Sequence, residues 1–579
     1  MDAKSFFTGL KCPAQRRYEA LKAFYIGGQN AAAVTEAFSF SPKYFRKICF
    51  SFIQSLQKKE NPFFIIKKPG PQQRRTSPSI IQRIVMLRKQ NYSITDIRAC
   101  LHAEKKSISL DTIDQILKGE GFARLFKRTR QERLAIQFPQ KWEVPRSKSL
   151  VIEDENFTTE TGVSPLLFLP LLEKLKIIEA IKSCGFPQTK DLSDVNMVLS
   201  FLALKLLGTK RWSHDSRWNA DRALGFFAGL NVLPKATTLS TYSYRVSRKA
   251  NRDLLLCLSR IFTEGETTDG EFNLDFKAIP HWGDDSVLEK NWAGSRSKAV
   301  KSLLALIAQD PITGNLAYTN AEIKHRNQND AALEFVDFWR EGRGVAPKML
   351  IFDSKFTSYK NLSLLNQSKE GIKFLTLRRR GKNLMGHVAQ IPLSKWQTVK
   401  LERSKGKSQT VSVYDGTTKL RHYDGEVREI ILTNHGRLKP AFLITNDFTA
   451  GVKDLIEKYA RRWLVEQEIA EQVIFFHLNH PSSSIVVKVD FDLTLTLLAH
   501  NLYKVLAKKL HGFEHCTVDT VSRKFLENGA AVTIKDDDVR IALKKKTHLP
   551  ILLEVPWLKD VTRLSWMGVN LHFETHTVS

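Results

Sequence analysis

Apolar residues in the N-terminal third recur three and four apart in short stretches, each broken by a turn signal. The spacing predicts helices over residues 15–26, stopping at Gly27-Gly28, over 30–38, and from 42 to about 57. The third exposes Lys43, Arg46 and Lys47 beside an apolar face of Tyr44, Phe45, Ile48 and Phe52. A second set of helices follows at 79–90, at 94–102 behind a Ser93/Asp96 capping box, and at 110–117 behind Ser109. Residues 131–265 are rich in Leu, Ala and Ile at helical spacing, as at 166–181, 195–207 and 254–262. From Glu271 the period changes to that of strands, at 272–279, 302–309 and 315–323. A helix at 329–341, a buried strand at 348–352, a short helix at 358–367 and a strand at 373–378 follow. Further strands are expected at 398–401, 410–414, 429–432 and 441–444, then a helix over 451–476.

Charge narrows what the N-terminal helices do. The 579-residue chain has 89 Lys and Arg against 60 Asp and Glu, a formal net charge of +29. Residues 1–150 hold 29 of the basic residues and 11 of the acidic ones, so a surplus of 18 falls in about a quarter of the chain. Such a surface binds polyanions by counterion release. Two sets of short helices of helix-turn-helix size, joined by the basic Pro/Gly segment 67–75 with Arg74 and Arg75, point to double-stranded DNA. The basic segment has the composition of an arm that lies along a minor groove. No run of eighteen uncharged apolar residues and no basic-then-apolar leader is present, so a cytoplasmic protein without a membrane partner is expected. The six cysteines form no CxxC pair, which argues against a zinc site.

Candidate chemistry lies in the strand-rich half. Asp275 interrupts an apolar strand, and Asp353 ends the run Ile351-Phe352-Asp353; buried carboxylates are costly unless paired or liganded. Three strands in a meander, then helix, strand, helix, strand, is the order of the ribonuclease-H-like fold. There one Asp lies on the first strand and a second follows the fourth, the places of Asp275 and Asp353, 78 residues apart. Asp284 and Asp285 compete with Asp275 from a loop. In the helix predicted at 451–476, Tyr459, Arg462 and Glu466 are spaced to share one face, with Glu468 and Glu471 as lesser competitors for Glu466. An Arg462–Glu466 surface ion pair is the simpler alternative. Trp212, His214 and Arg217 are weaker candidates for DNA contact.

These residues resemble the DDE transposases of bacterial insertion sequences, in the insertion-sequence-four branch. Its signature is Tyr, two residues, Arg, three residues, Glu, six residues, Lys. Tyr459, Arg462 and Glu466 match, and Trp463 is also typical, but Val473 stands where Lys is expected, leaving that phosphate contact to a nearby basic residue. Asp353-Ser354-Lys355-Phe356 is similar to the segment around the family's second Asp. The resemblance implies that Asp275, Asp353 and Glu466 are catalytic and hold two Mg²⁺ or Mn²⁺ ions. It also implies that Tyr459, Arg462 and Lys355 hold phosphates, and that Arg378, Arg379, Arg380 and Lys382 follow the transposon end. The expected protein is multidomain, α and α/β. It has helix-turn-helix domains at 1–66 and 76–130, a helical middle domain at 131–268, and a ribonuclease-H-like catalytic domain at 269–379 plus 447–510. A β-rich insertion at 380–446 and a C-terminal region of unassigned role at 511–579 complete it. The implied partners are transposon-end and target DNA and a second copy of the chain, in the bacterial cytoplasm at the nucleoid. A catalytically inactive DNA-binding regulator is the alternative reading.

Overall fold

The computed structural model describes residues 12–57, 63, 76–90, 92–104, 106–123, 146–210, 218–264, 270–280, 288–293, 298–356, 358–402, 408–436, 439–462, 470–471, 474–478 and 485–576, with only the backbone of 382 and 383. The chain divides into two compact units, residues 1–142 and 143–579.

In the first unit, α1 (Pro13–Tyr25), α2 (Ala31–Ala37) and α3 (Pro42–Gln57) pack around Ala20, Val34 and Phe45. Asn30 caps α2 by accepting the Ala33 amide at 2.8 Å. Arg16 donates to the carbonyls of Phe38 and Ser39 at 2.7 and 2.6 Å, so its charge ties down the turn before α3. A separate small core of Ile84, Leu87, Ile97, Leu101, Ile113 and Ile116 joins α4 (Pro78–Lys89), α5 (Ile94–Ala103) and α6 (Leu110–Gly119). Ser93 and Asp96 form the expected reciprocal cap, each side chain accepting the other's amide. Arg88 is buried, donating to the carbonyls of Tyr92 and Ala123 at 3.0 Å each.

The second unit is mixed α/β with two mixed sheets. β1 (Glu155–Thr159) belongs to the smaller one. The larger begins with β2 (Glu271–Pro280), β3 (Lys290–Ala293), β4 (Lys298–Gln309), β5 (Leu316–Ile323), β6 (Met349–Phe352) and β7 (Lys373–Leu377). It continues through β8 (Trp396–Glu402), β9 (Ser408–Lys419), β10 (Glu426–Thr433) and β11 (Ala441–Thr445). Its central order is β5-β4-β2-β6-β7, in which β4 alone runs against the other four. The strands expected as an insertion extend this same sheet, because β11 pairs antiparallel with β7, Leu443 opposite Leu377. The apolar run of β11 thereby covers an edge that β7 would otherwise leave open.

The two faces of the central sheet differ. On one, Phe272, Leu274 and Phe276 of β2 join a core with α7 (Asp194–Leu206), α8 (Arg248–Ile261) and α9 (Ala331–Arg343). The Phe272 ring lies 5.0 Å from Phe335 and 4.4 Å from Trp339. On the other, Met349, Ile351 and Leu375 pack under Leu455 and Ile456 of α10 (Val452–Arg461). Ile279, Leu303 and Ala305 pack under Val489 and Leu493 of α11 (Val486–Ala507). Between those two apolar patches β2 presents Glu271, Asn273, Asp275 and Lys277.

Several expectations change. The helical run at 166–181 is three short helices, Val163–Leu166, Leu169–Lys174 and Ile177–Ser183. Pro170 starts the second, and Lys176, with φ 54°, breaks the chain before the third. Glu155–Thr159, in the segment expected to be mostly helical, is a strand paired with β12 (Ala530–Lys535). With β13 (Asp538–Leu543), β14 (Thr562–Leu564) and β15 (Val569–Thr575), the C-terminal residues form the rest of the smaller sheet. A helix, Lys382–Gln390, opens the segment expected to be β-rich. Among the described residues no helix is long and apolar enough to cross a membrane.

Candidate active site

Asp275 lies at the middle of β2, and the last register pair between β2 and β6 is Leu274 with Phe352. Asp275 and Asp353 are the next residues on each strand, so the two carboxylates leave neighbouring parallel strands at the same level, with the strands about 5 Å apart. Asp275 Oδ1 accepts the amide of Phe276 at 2.8 Å. Asp353 is followed at once by a single 3₁₀ turn, Ser354–Phe356, and its Oδ1 accepts the amide of Lys355 at 2.6 Å. Phe356 anchors that turn by stacking on Phe276, with ring centroids 3.9 Å apart and planes within 6°. Thr376 of β7 donates to the Asp353 carbonyl at 3.2 Å. The aromatic after the second Asp is thus a buried wedge that fixes the carboxylate's position.

The helix α10 crosses the polar stripe of β2. Lys458 pairs with Glu271, and one turn later Arg462 Nη1 lies 3.6 Å from Asp275 Oδ2. The Arg462 side chain is 7% exposed and that of Asp275 16%, so this pair sits largely out of water. The Arg462 guanidinium also lies 5.5 Å from the centre of the Tyr459 ring. Burial pushes the Tyr459 hydroxyl up to about 12; the Arg462 charge pulls it back, while Asp353 and Asp275 push it further up. Tyr459, Arg462, Asp275 and Asp353 therefore share one electrostatic neighbourhood. Lys277, on the same face as Asp275, has its ammonium pushed below its ordinary range by burial, with Asp275 holding it partly up.

Glu466 lies outside the described residues, as do Trp463, Glu468 and Val473. So do Arg74, Arg75, Trp212, His214, Arg217, Asp284 and Asp285, and the side chain of Lys382. Glu471 is placed against Lys504 and the Val518 amide. Arg378 is committed within the sheet: it donates to Glu429 at 2.6 Å, and that carboxylate is only 4% exposed. Arg379 is exposed and donates to the carbonyl of Ser354 at 3.2 Å, while Arg380 and Lys355 face outward. Lys43, Arg46 and Lys47 are exposed on α3. Tyr44, on the apolar face of that helix, is 44% exposed.

Paired carboxylate oxygens are hard donors of the kind that hold Mg²⁺ or Mn²⁺. Among the described residues no group of three His, Cys, Asp or Glu side chains forms a metal cage, so the described donor set is the pair Asp275 and Asp353. Adjacent carboxylates repel one another, and a divalent cation held between them would offset that repulsion.

No protein-family model matches the chain, and no curated protein matches it. Among solved structures it is similar to a chain of the piggyBac transposase synaptic complex with hairpin DNA, at 11% identity and a TM-score of 0.32. That match covers 60% of this chain and 78% of the other, and it is too slight to argue from.

Proposed function

We propose that this chain is a DDE-type DNA transposase, cutting and joining DNA at the ends of a mobile element, with Asp275, Asp353 and Glu466 as ligands for two divalent ions. The observation that carries the reading is the register of β2 and β6, with Asp275 and Asp353 side by side under Arg462 and Tyr459. The order β5-β4-β2-β6-β7 with β4 alone reversed supports a ribonuclease-H-like core. Glu466 enters from the sequence spacing Tyr459, Arg462, Glu466 alone, four residues after an arginine that reaches Asp275.

Each described residue then has a task. Asp275 and Asp353 hold the ions. Arg462 orients Asp275 from a dry position, and Phe356 on Phe276 keeps the Asp353 turn in place. Tyr459 stays protonated and packs against the guanidinium. Bound there, Mg²⁺ or Mn²⁺ would supply the Lewis acidity for in-line displacement at phosphorus by water or a DNA 3′-hydroxyl. The exposed Lys43, Arg46 and Lys47, with the +18 surplus of residues 1–150, supply the charge that holds double-stranded DNA, and two copies of the chain would bring two ends together.

The test is cleavage of DNA bearing the element's own ends, with Mg²⁺ or Mn²⁺, by wild type, Asp353→Ala and Glu466→Ala. Metal-dependent nicking by wild type alone, with end binding kept in both variants, is the expected result. End binding by a folded wild type that never cuts would replace the transposase with a DNA-binding regulator.

A further inference from the structure

Arg462 is placed to orient a carboxylate rather than to meet DNA: its side chain is 7% exposed and its charge faces Asp275. A phosphodiester entering beside two carboxylates needs a cation nearer the solvent. Lys277 is such a cation. It follows Asp275 by two on β2, so the pleat places both on one face, about 7 Å apart along the strand. The pairing of β2 with β6 ends at Leu274 and Phe352, so Lys277 stands beyond the carboxyl end of β6, beside the point where Asp353 leaves the sheet. Open α/β sheets take their ligands at the carboxyl ends of their strands. Across the strand pair Lys277 faces Ala305. Lys277 is partly exposed where Arg462 is buried, so of the two it stands nearer the solvent.

We propose that Lys277 is a DNA-phosphate contact of the catalytic mouth, its ammonium binding the non-bridging oxygens of a phosphodiester at or next to the scissile bond. This rests on the transposase reading above. Lysine does this as a point charge on a flexible stem, where Arg462 is held in one geometry by its burial.

The test combines Lys277→Met and Lys277→Arg with end DNA carrying a single uncharged methylphosphonate at each position around the scissile bond. Wild type and Asp353→Asn are run alongside. Lys277→Met should slow cleavage roughly 10- to 100-fold, the scale of a charged hydrogen bond, and Lys277→Arg should recover most of the rate. One methylphosphonate position should slow wild type by a similar factor and slow Lys277→Met no further. Lys277→Met cutting at the wild-type rate, or keeping the full penalty at every neutralised phosphate, overturns the assignment while leaving the transposase reading intact. A wild type that never cuts overturns both. Should Lys277→Met fail to show a wild-type melting transition, wild-type protein is coupled to DNA carrying a lysine-reactive squaramate at the scissile position. The mapped peptide is expected to contain Lys277, and coupling only to other lysines overturns the proposal.

Discussion

The two faces of strand β2 are built from alternate residues of one short sequence, yet they obey different rules. Phe272, Leu274 and Phe276 point into a core shared with α7, α8 and α9, and each is buried among apolar side chains. Glu271, Asn273, Asp275 and Lys277 point the other way, into a polar stripe crossed by Lys458 and Arg462 of the segment above. A sheet buried on both faces ordinarily reads as a continuous apolar run. Here one face keeps that rule and the other departs from it for four alternate residues. The difference teaches that the apolar face carries stability, and that the polar face costs stability while concentrating charge.

The largest expected effect breaks the apolar side. Phe272→Ala removes a fully buried ring that touches Phe335 and Trp339, and should cost about 3–5 kcal/mol in denaturant unfolding. Next comes the polar side. Asp353→Asn should reduce end cleavage by about 10²–10³-fold or more, the scale of losing one preorganised electrostatic group. Its melting temperature should be unchanged or higher, because one of two adjacent like charges is gone. Equal losses of stability in the two variants would erase the contrast between the faces.

A smaller effect is expected at Asp447, in the turn that launches α10 across the polar stripe. Burial raises its pKa, but bonds from Lys373 at 2.8 Å and from Thr449 and Ala450 outweigh that and hold it down to about 2. Its folded value lies below the unfolded one, so its contribution is present above the ordinary carboxylate range and lost as pH falls toward 2. Asp447→Asn should therefore cost about 1–3 kcal/mol at pH 7, and the gap to wild type should close in acid. Smallest is Tyr459→Phe, nearly silent in stability at neutral pH. The wild-type hydroxyl, raised to about 12, stays protonated where the unfolded chain's tyrosine ionises, so native stability falls as pH rises from about 10 toward 12. Melting of wild type and Tyr459→Phe across that range should show the wild type losing ground, and parallel curves would contradict it.

Local pattern made the elements legible; pairing at a distance did not. The strand expected at 272–279 is Glu271–Pro280, and the capping box at Ser93 opens α5 at Ile94, because period and cap chemistry are encoded within a few residues. The side-by-side placement of Asp275 and Asp353 was readable from element order. The resemblance assigns Arg378 to the transposon end; its pairing with Glu429 was not legible, because that partner arrives on a strand 51 residues later. The same non-local pairing hid the join of β11 to β7 and of Glu155–Thr159 to the C-terminal sheet. Within the helix expected over 451–476, α10 ends at Arg461 and Arg462 lies in a turn. Lys277 stands at spacing two from Asp275, but the end of β6 beside it is set by register and is not visible in the local sequence.

The most direct test of the central claim is Mn²⁺ occupancy of the end-bound protein, counted by electron paramagnetic resonance for wild type, Asp353→Asn and Glu466→Gln. The account predicts about two ions per catalytic centre in the wild type and a clear loss in each variant. Equal Mn²⁺ occupancy in all three proteins would contradict it.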